Sequence, residues 1–122
     1  MRLTVTPVGT RLLIRGYSPG RLRIGEQEIS GPVILSAREL RTDLRPAHPE
    51  ALEEHDLHGV FELKPEVVVI GWVGGQIFLP ASQRRWFLER NIGLEVMELG
   101  AACRTYNVLV GDERNVVALL FP

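Results

Sequence analysis

A few groupings of side chains in this sequence have the types and spacing to do chemistry. Cys103 is the single thiol. It falls near the first turn of a helix-patterned segment, where the positive helix end can lower a thiol pKa and make a nucleophile. The competing reading is a small buried hydrophobe, since no histidine stands near it in sequence. Gly71-x-x-Gly74-Gly75 followed by Gln76 comes directly after a run of β-branched residues, the place where α/β sheets hold ligands. It is neither a dinucleotide fingerprint nor a phosphate loop, because no Gly-Lys-Ser/Thr follows; a tight turn with close backbone packing is the favoured reading. Arg104, Tyr106, Asn107 and Arg114 are polar residues beside apolar stripes, and they either converge on a pocket or serve packing and local ion pairs. Arg114 has Asp112 and Glu113 at hand for that purpose. His48, His55 and His58 with Glu53, Glu54 and Asp56 form a metal-like cluster without H-E-x-x-H spacing, which reads as a solvated surface. No residue is assigned to catalysis or to a metal, and no cofactor is expected.

The elements that must position these residues follow from periodicity. Val67-Val68-Val69-Ile70 is an unbroken β-branched run and predicts a strand buried on both faces. A helix follows from about Pro80 to Arg90, with Asn91 in the left-handed cap. Leu94 to Met97 is a short strand, Ala101 to Val110 a helix closed by Gly111, and Asn115 to Leu120 a buried strand. Strand, helix, strand, helix, strand implies crossovers and parallel neighbours. Upstream, Leu12 to Arg15 and Leu22 to Ile24 read as a hairpin turned by Tyr17-Ser18-Pro19-Gly20, with Gln27 to Ile29 as a third strand and Val33 to Leu35 as a buried one. Ala37 to Glu50 has no clean period and reads as an irregular surface connection. Leu57, Val60 and Phe61 share one face of a short helix stopped at Lys64-Pro65.

Composition bounds the function classes. The chain has 122 residues, 45% of them hydrophobic and 24% charged, which is enough for one α/β domain over 1–122. A formal net charge of -1 leaves no basic excess for nucleic acid. Arg38, Arg41 and Arg45 make a local cluster that reads first as a solvated, partly irregular segment, with a small anionic contact as the alternative. No apolar run is long or continuous enough for a signal peptide or an integral membrane segment. One cysteine makes no internal disulfide, so a cytoplasmic setting is expected.

Several of these stretches resemble a widespread uncharacterised family that includes a mitochondrial assembly factor of respiratory complex I and an adipogenesis-associated domain protein. They are Gly93-Leu94-Glu95-Val96-Met97, Ala101-Ala102-Cys103-Arg104-Thr105-Tyr106-Asn107-x-Leu109 and Arg114-x-Val116-x-Ala118-Leu119. Tyr17-x-Pro19-Gly20, Val33-Ile34-Leu35, Asp56-Leu57, Lys64-Pro65-Glu66-Val67, Ile70-Gly71, Gln76, Phe78 and Pro80 extend the likeness over nearly the whole chain. It implies a three-layer α/β domain, with helices over a mixed central sheet and an added β layer from the N-terminal hairpin. It implies no enzyme activity and no cofactor; the eukaryotic relatives look like assembly or interaction factors. Gly71-Trp72-Val73 replaces the family's Gly-Thr-Gly, filling that loop with an indole. Leu99 replaces its capping Thr, so Gly100 or Glu98 must cap the helix.

Two functions remain in view. One is a non-enzymatic interaction module that binds another protein, with a homodimer as one form. The other is a small-molecule binder or enzyme with a pocket at Gly71, Trp72, Gly74, Gly75 and Gln76, together with Cys103, Arg104, Tyr106, Asn107 and Arg114.

Overall fold

The computed structural model describes residues 3–5, 11–75 and 77–122, with the side chains of 3–5 excepted, so Gln76 lies outside the described residues. Its strands are β1 (Leu3–Val5), β2 (Ile14–Ser18), β3 (Arg21–Ile24), β4 (Gln27–Ser30), β5 (Val33–Ser36), β6 (Glu39–Arg41), β7 (Val67–Trp72), β8 (Gly93–Glu98) and β9 (Val116–Phe121). Its α-helices are α1 (His58–Glu62), α2 (Ala81–Leu88) and α3 (Leu99–Gly111), with single 3-10 turns at Pro49–Ala51 and Glu54–Leu57.

The central sheet has the order β1-β6-β5-β9-β7-β8, and a second sheet has the order β2-β3-β4. The β7 strand is parallel to both β9 and β8, while β5, β6 and β1 continue the sheet antiparallel. Val67 to Ile70 are all buried, one strand in from the β8 edge. Their alternation divides the core. Val67 and Val69 face a cluster with Tyr106, Ala102, Leu22 and Ile24, and Val68 and Ile70 face one with Leu57, Val60, Leu79 and Phe87. The small sheet and α3 therefore share one layer, and α1, α2 and the 3-10 turns form the other. The result is the mixed three-layer α/β domain that the family resemblance implies, with the β-branched run at its centre.

Two local expectations need correction. The 37–50 segment is not simply an irregular surface connection: it contains β6, and Leu40 and Leu44 are 1% and 6% exposed. The α3 helix ends at Gly111, and the positive φ that follows it falls at Glu113 (61°). Arg114 does not pair with Asp112 or Glu113; its Nε donates to Glu66 Oε1 at 2.6 Å.

Candidate functional site

The polar residues of α3 are held by the small sheet. Asn107 Oδ1 accepts from the Ile14 amide at 2.9 Å, and Asn107 Nδ2 donates to the Ile14 carbonyl at 2.8 Å. The primary amide thus pairs with the backbone of β2 where a neighbouring strand would, beside a register shift between Ile14 and Gly16. One residue earlier in α3, the fully buried Tyr106 donates its hydroxyl to the Leu12 carbonyl at 2.9 Å. Burial pushes the Tyr106 phenol pKa up, so it stays a donor throughout the physiological range. Arg104 points outward to the Tyr17 hydroxyl at 3.3 Å.

Cys103 is 3% exposed, and burial, reinforced by the Glu98 carboxylate, pushes its thiol up to about 11. That reverses the lowering that a place near a helix start can produce, because the thiol faces the core rather than the helix axis. A thiol so protonated is a poor nucleophile. The axis is already served. Glu98 Oε1 accepts from the Ala101 amide at 2.7 Å, and amide bonds from Gly100 and Ala101 hold the Glu98 carboxyl below the usual range. Glu98 therefore replaces the missing threonine cap and fills with its own charge the place where an anionic ligand would sit.

The glycine loop opens off the carboxyl end of β7. A Cβ on Gly71 would lie 2.5 Å from Ala102 Cβ and 3.1 Å from Leu120 Cδ2, so this glycine lets α3 approach the sheet. Gly74 lies under the Trp72 indole, whose ring centroid is 4.4 Å from that of His48. Gly75 has φ 103° and needs its missing side chain to hold that turn. Phe78, three residues on, is 74% exposed.

The residues named from sequence do not form one group. Arg104 stands midway along α3, and Arg114 lies past its far end, with about 10 Å of helix between them. There Arg114 and Asn115 bind Glu66 and the Leu63 and Lys64 carbonyls, fixing the left-handed Lys64 (φ 51°). Beside them a cavity of about 380 Å³ contains Arg11, Arg38 and Glu39. Arg11 donates to the Val110 carbonyl at 3.0 Å and pairs with Glu113 at 3.0 Å, which closes the end of α3.

Of the histidines, His55 contacts Glu53 at 3.2 Å and Asp56 at 3.5 Å, and His58 contacts Glu62 at 3.6 Å. Among the described residues no group of three or more His, Cys, Asp or Glu is placed to hold a metal ion. A second cavity, of about 400 Å³, joins Arg41 and Arg45 of the arginine cluster to His55 and His58. The sequence marks each group separately, but not that they meet, because α1 comes from another part of the chain.

Comparison with known proteins agrees with this architecture. The chain is 25% identical to the "13 kDa major membrane protein" of Francisella tularensis subsp. holarctica (strain LVS), over 98% of each. It is 32% identical to an outer membrane protein from Bartonella henselae of known crystal structure, covering 92% of this chain and 95% of that one with a TM-score of 0.78. A crystal structure of a Bordetella parapertussis protein superposes with a TM-score of 0.85 at 26% identity, over 95% of this chain and 99% of that one. Residues 14–121 match the family model described as "Protein of unknown function (DUF498/DUF598)", and the chain belongs to that family.

Proposed function

We propose that this protein is a non-enzymatic interaction module of the assembly-factor kind, which binds another protein beside α2 and the β8 edge. The observation that carries the reading is the edge itself. Among the described residues β8 pairs on one side only, and apolar side chains stand out at both ends of the neighbouring α2, Phe78 at 74% and Leu88 at 78% exposure. An open edge flanked by apolar anchors is a surface that accepts an added strand. Glu95, exposed on that edge, favours a foreign partner over a second copy. A two-fold pairing centred on it would set the two carboxylates directly opposite, which is unfavourable. The resemblance to a complex I assembly factor supports the same kind of role without naming a client.

The setting we propose is cytoplasmic. No helix among the described residues is long and apolar enough to cross a membrane. Two relatives are named as membrane proteins, so fractionation of the native host is the check on location.

The test compares tagged wild-type protein with a Phe78→Ser/Leu88→Ser double variant in the native host. A defined protein should co-purify with the wild type in fixed ratio and be lost with the variant, whose fold is unchanged because both side chains are exposed. Equal recovery with both would remove this face. A wild type that elutes alone as a dimer would replace the foreign partner with a second copy.

A further inference from the structure

The cavity on the α1 side of the sheet has polar capacity that the fold does not use. It is lined by Arg41, Asp43, Arg45, His55, His58 and Glu62, and has a volume of about 400 Å³, within the range of small-ligand sites. Its acids are unevenly matched. Glu62 contacts His58, while Asp56, at the cavity wall, contacts His55 and accepts from the Glu53 amide at 2.8 Å. That leaves Asp43 as the acid for the two arginines of the lining. It contacts Arg41 Nη2 at 3.4 Å, and Arg45 has no ion pair among the described residues.

Two polar atoms of these lining residues are also unpaired. Arg41 Nε and Asp43 Oδ1 are both buried, and neither has a hydrogen-bond partner among the described residues. Burying a donor and an acceptor without partners is costly, so such a pair marks a place for something that supplies both complements. The seat is shaped by Gly59. A Cβ there would overlap Arg41 Nη1 and lie 2.8 Å from Arg41 Cζ, so only a bare backbone on α1 lets the guanidinium lie in this position.

We propose that this cavity binds a small oxyanion that carries its own hydrogen-bond donor. The oxyanion accepts from Arg41 Nε and is held by Arg45; its hydroxyl donates to Asp43 Oδ1. An α-hydroxy carboxylate and a protonated phosphate share this chemistry. A simple carboxylate meets the arginines but leaves Asp43 unserved. The site is independent of the β8 face and of any partner bound there.

Titrations of the purified protein at constant ionic strength test this, read from the NMR signals of Arg41 Nε–H and the amides of Asp43 and Arg45. Glycolate and inorganic phosphate are the donor-bearing probes, acetate is the probe without a donor, and the exposed Arg21 and Arg23 are internal controls. Glycolate and phosphate should give saturable shifts confined to the cavity. Acetate should bind about tenfold more weakly, the worth of one charge-assisted hydrogen bond. Phosphate without glycolate would assign the site to phosphates, and glycolate without phosphate to hydroxy acids. Asp43→Ala should bring glycolate and acetate to equal affinity. Gly59→Ala should abolish the saturable shifts while the amides of β7 and β9 stay unmoved; Arg41→Lys, which lacks Nε, should do the same at the Asp43 and Arg45 amides. Shifts that never saturate and track Arg21 and Arg23, or acetate equal to glycolate in the wild type, would overturn the proposal and leave the orphan atoms to water alone.

Discussion

The two faces of the central sheet use their polar residues in opposite ways. On the α3 face, both polar atoms of the Asn107 side chain and the Tyr106 hydroxyl are bound to the backbone of the small sheet. On the α1 face, Arg41 Nε, Asp43 Oδ1 and Gln83 Oε1 are buried without partners among the described residues. The contrast teaches where to look for function. The most conspicuous polar residues in the sequence, Tyr106 and Asn107, are occupied in joining two sheets. Capacity for a ligand remains at Arg41 and Asp43, in a stretch whose sequence shows an arginine cluster but no clean period.

The strongest way to break this contrast is to remove the joint. Tyr106→Ala deletes a fully buried ring and should lower unfolding stability by about 4 kcal/mol in urea titration. Asn107→Ala strips two bonds from the Ile14 backbone and should cost about 2 kcal/mol, with the oxyanion signals at Arg41 unchanged. If either variant keeps wild-type stability but loses a binding activity, the α3 face is a site and the contrast fails. Gly71→Ala drives a methyl into Ala102 and should cost about 1 to 2 kcal/mol.

A finer distinction comes from reactivity and pH. Cys103, 3% exposed with its pKa raised, should resist thiol reagents at neutral pH until the protein unfolds. Fast labelling of the folded state would reopen covalent chemistry. Glu98 and Glu66 titrate below the ordinary glutamate range in the folded state, through amide bonds and Arg114 respectively. Their contribution is therefore full above the unfolded glutamate pKa and is lost as pH falls through the depressed folded values. Glu66→Gln and Glu98→Gln should flatten that acid limb, and both lie on exposed surface, so this effect is the smallest of the set.

Much of this architecture can be read from the chain because it is local. Four β-branched residues in a row require burial on both faces, and Asn91 takes its left-handed φ of 58° as the end of α2 requires. The parts that escape are those set by partners distant in sequence. Asn107 and Ile14 are 93 positions apart, and Arg114 reaches back 48 to Glu66. No periodicity encodes such pairings, so a local acid looks the better partner for Arg114. The β6 strand escapes because it is three residues long with a single buried side chain, Leu40, between charged neighbours. The arginine cluster is legible but its cavity is not, because Gly59, which seats the Arg41 guanidinium, lies in a different element.

Hydrogen exchange at the Ile14 amide tests the central claim most directly, since that hydrogen is held by the Asn107 Oδ1 side-chain oxygen. It should exchange as slowly as core amides of β9 in the wild type and become fast in Asn107→Ala. An Ile14 amide that exchanges like an exposed loop in the wild type would contradict the account, and Asn107 would then be free to serve a ligand.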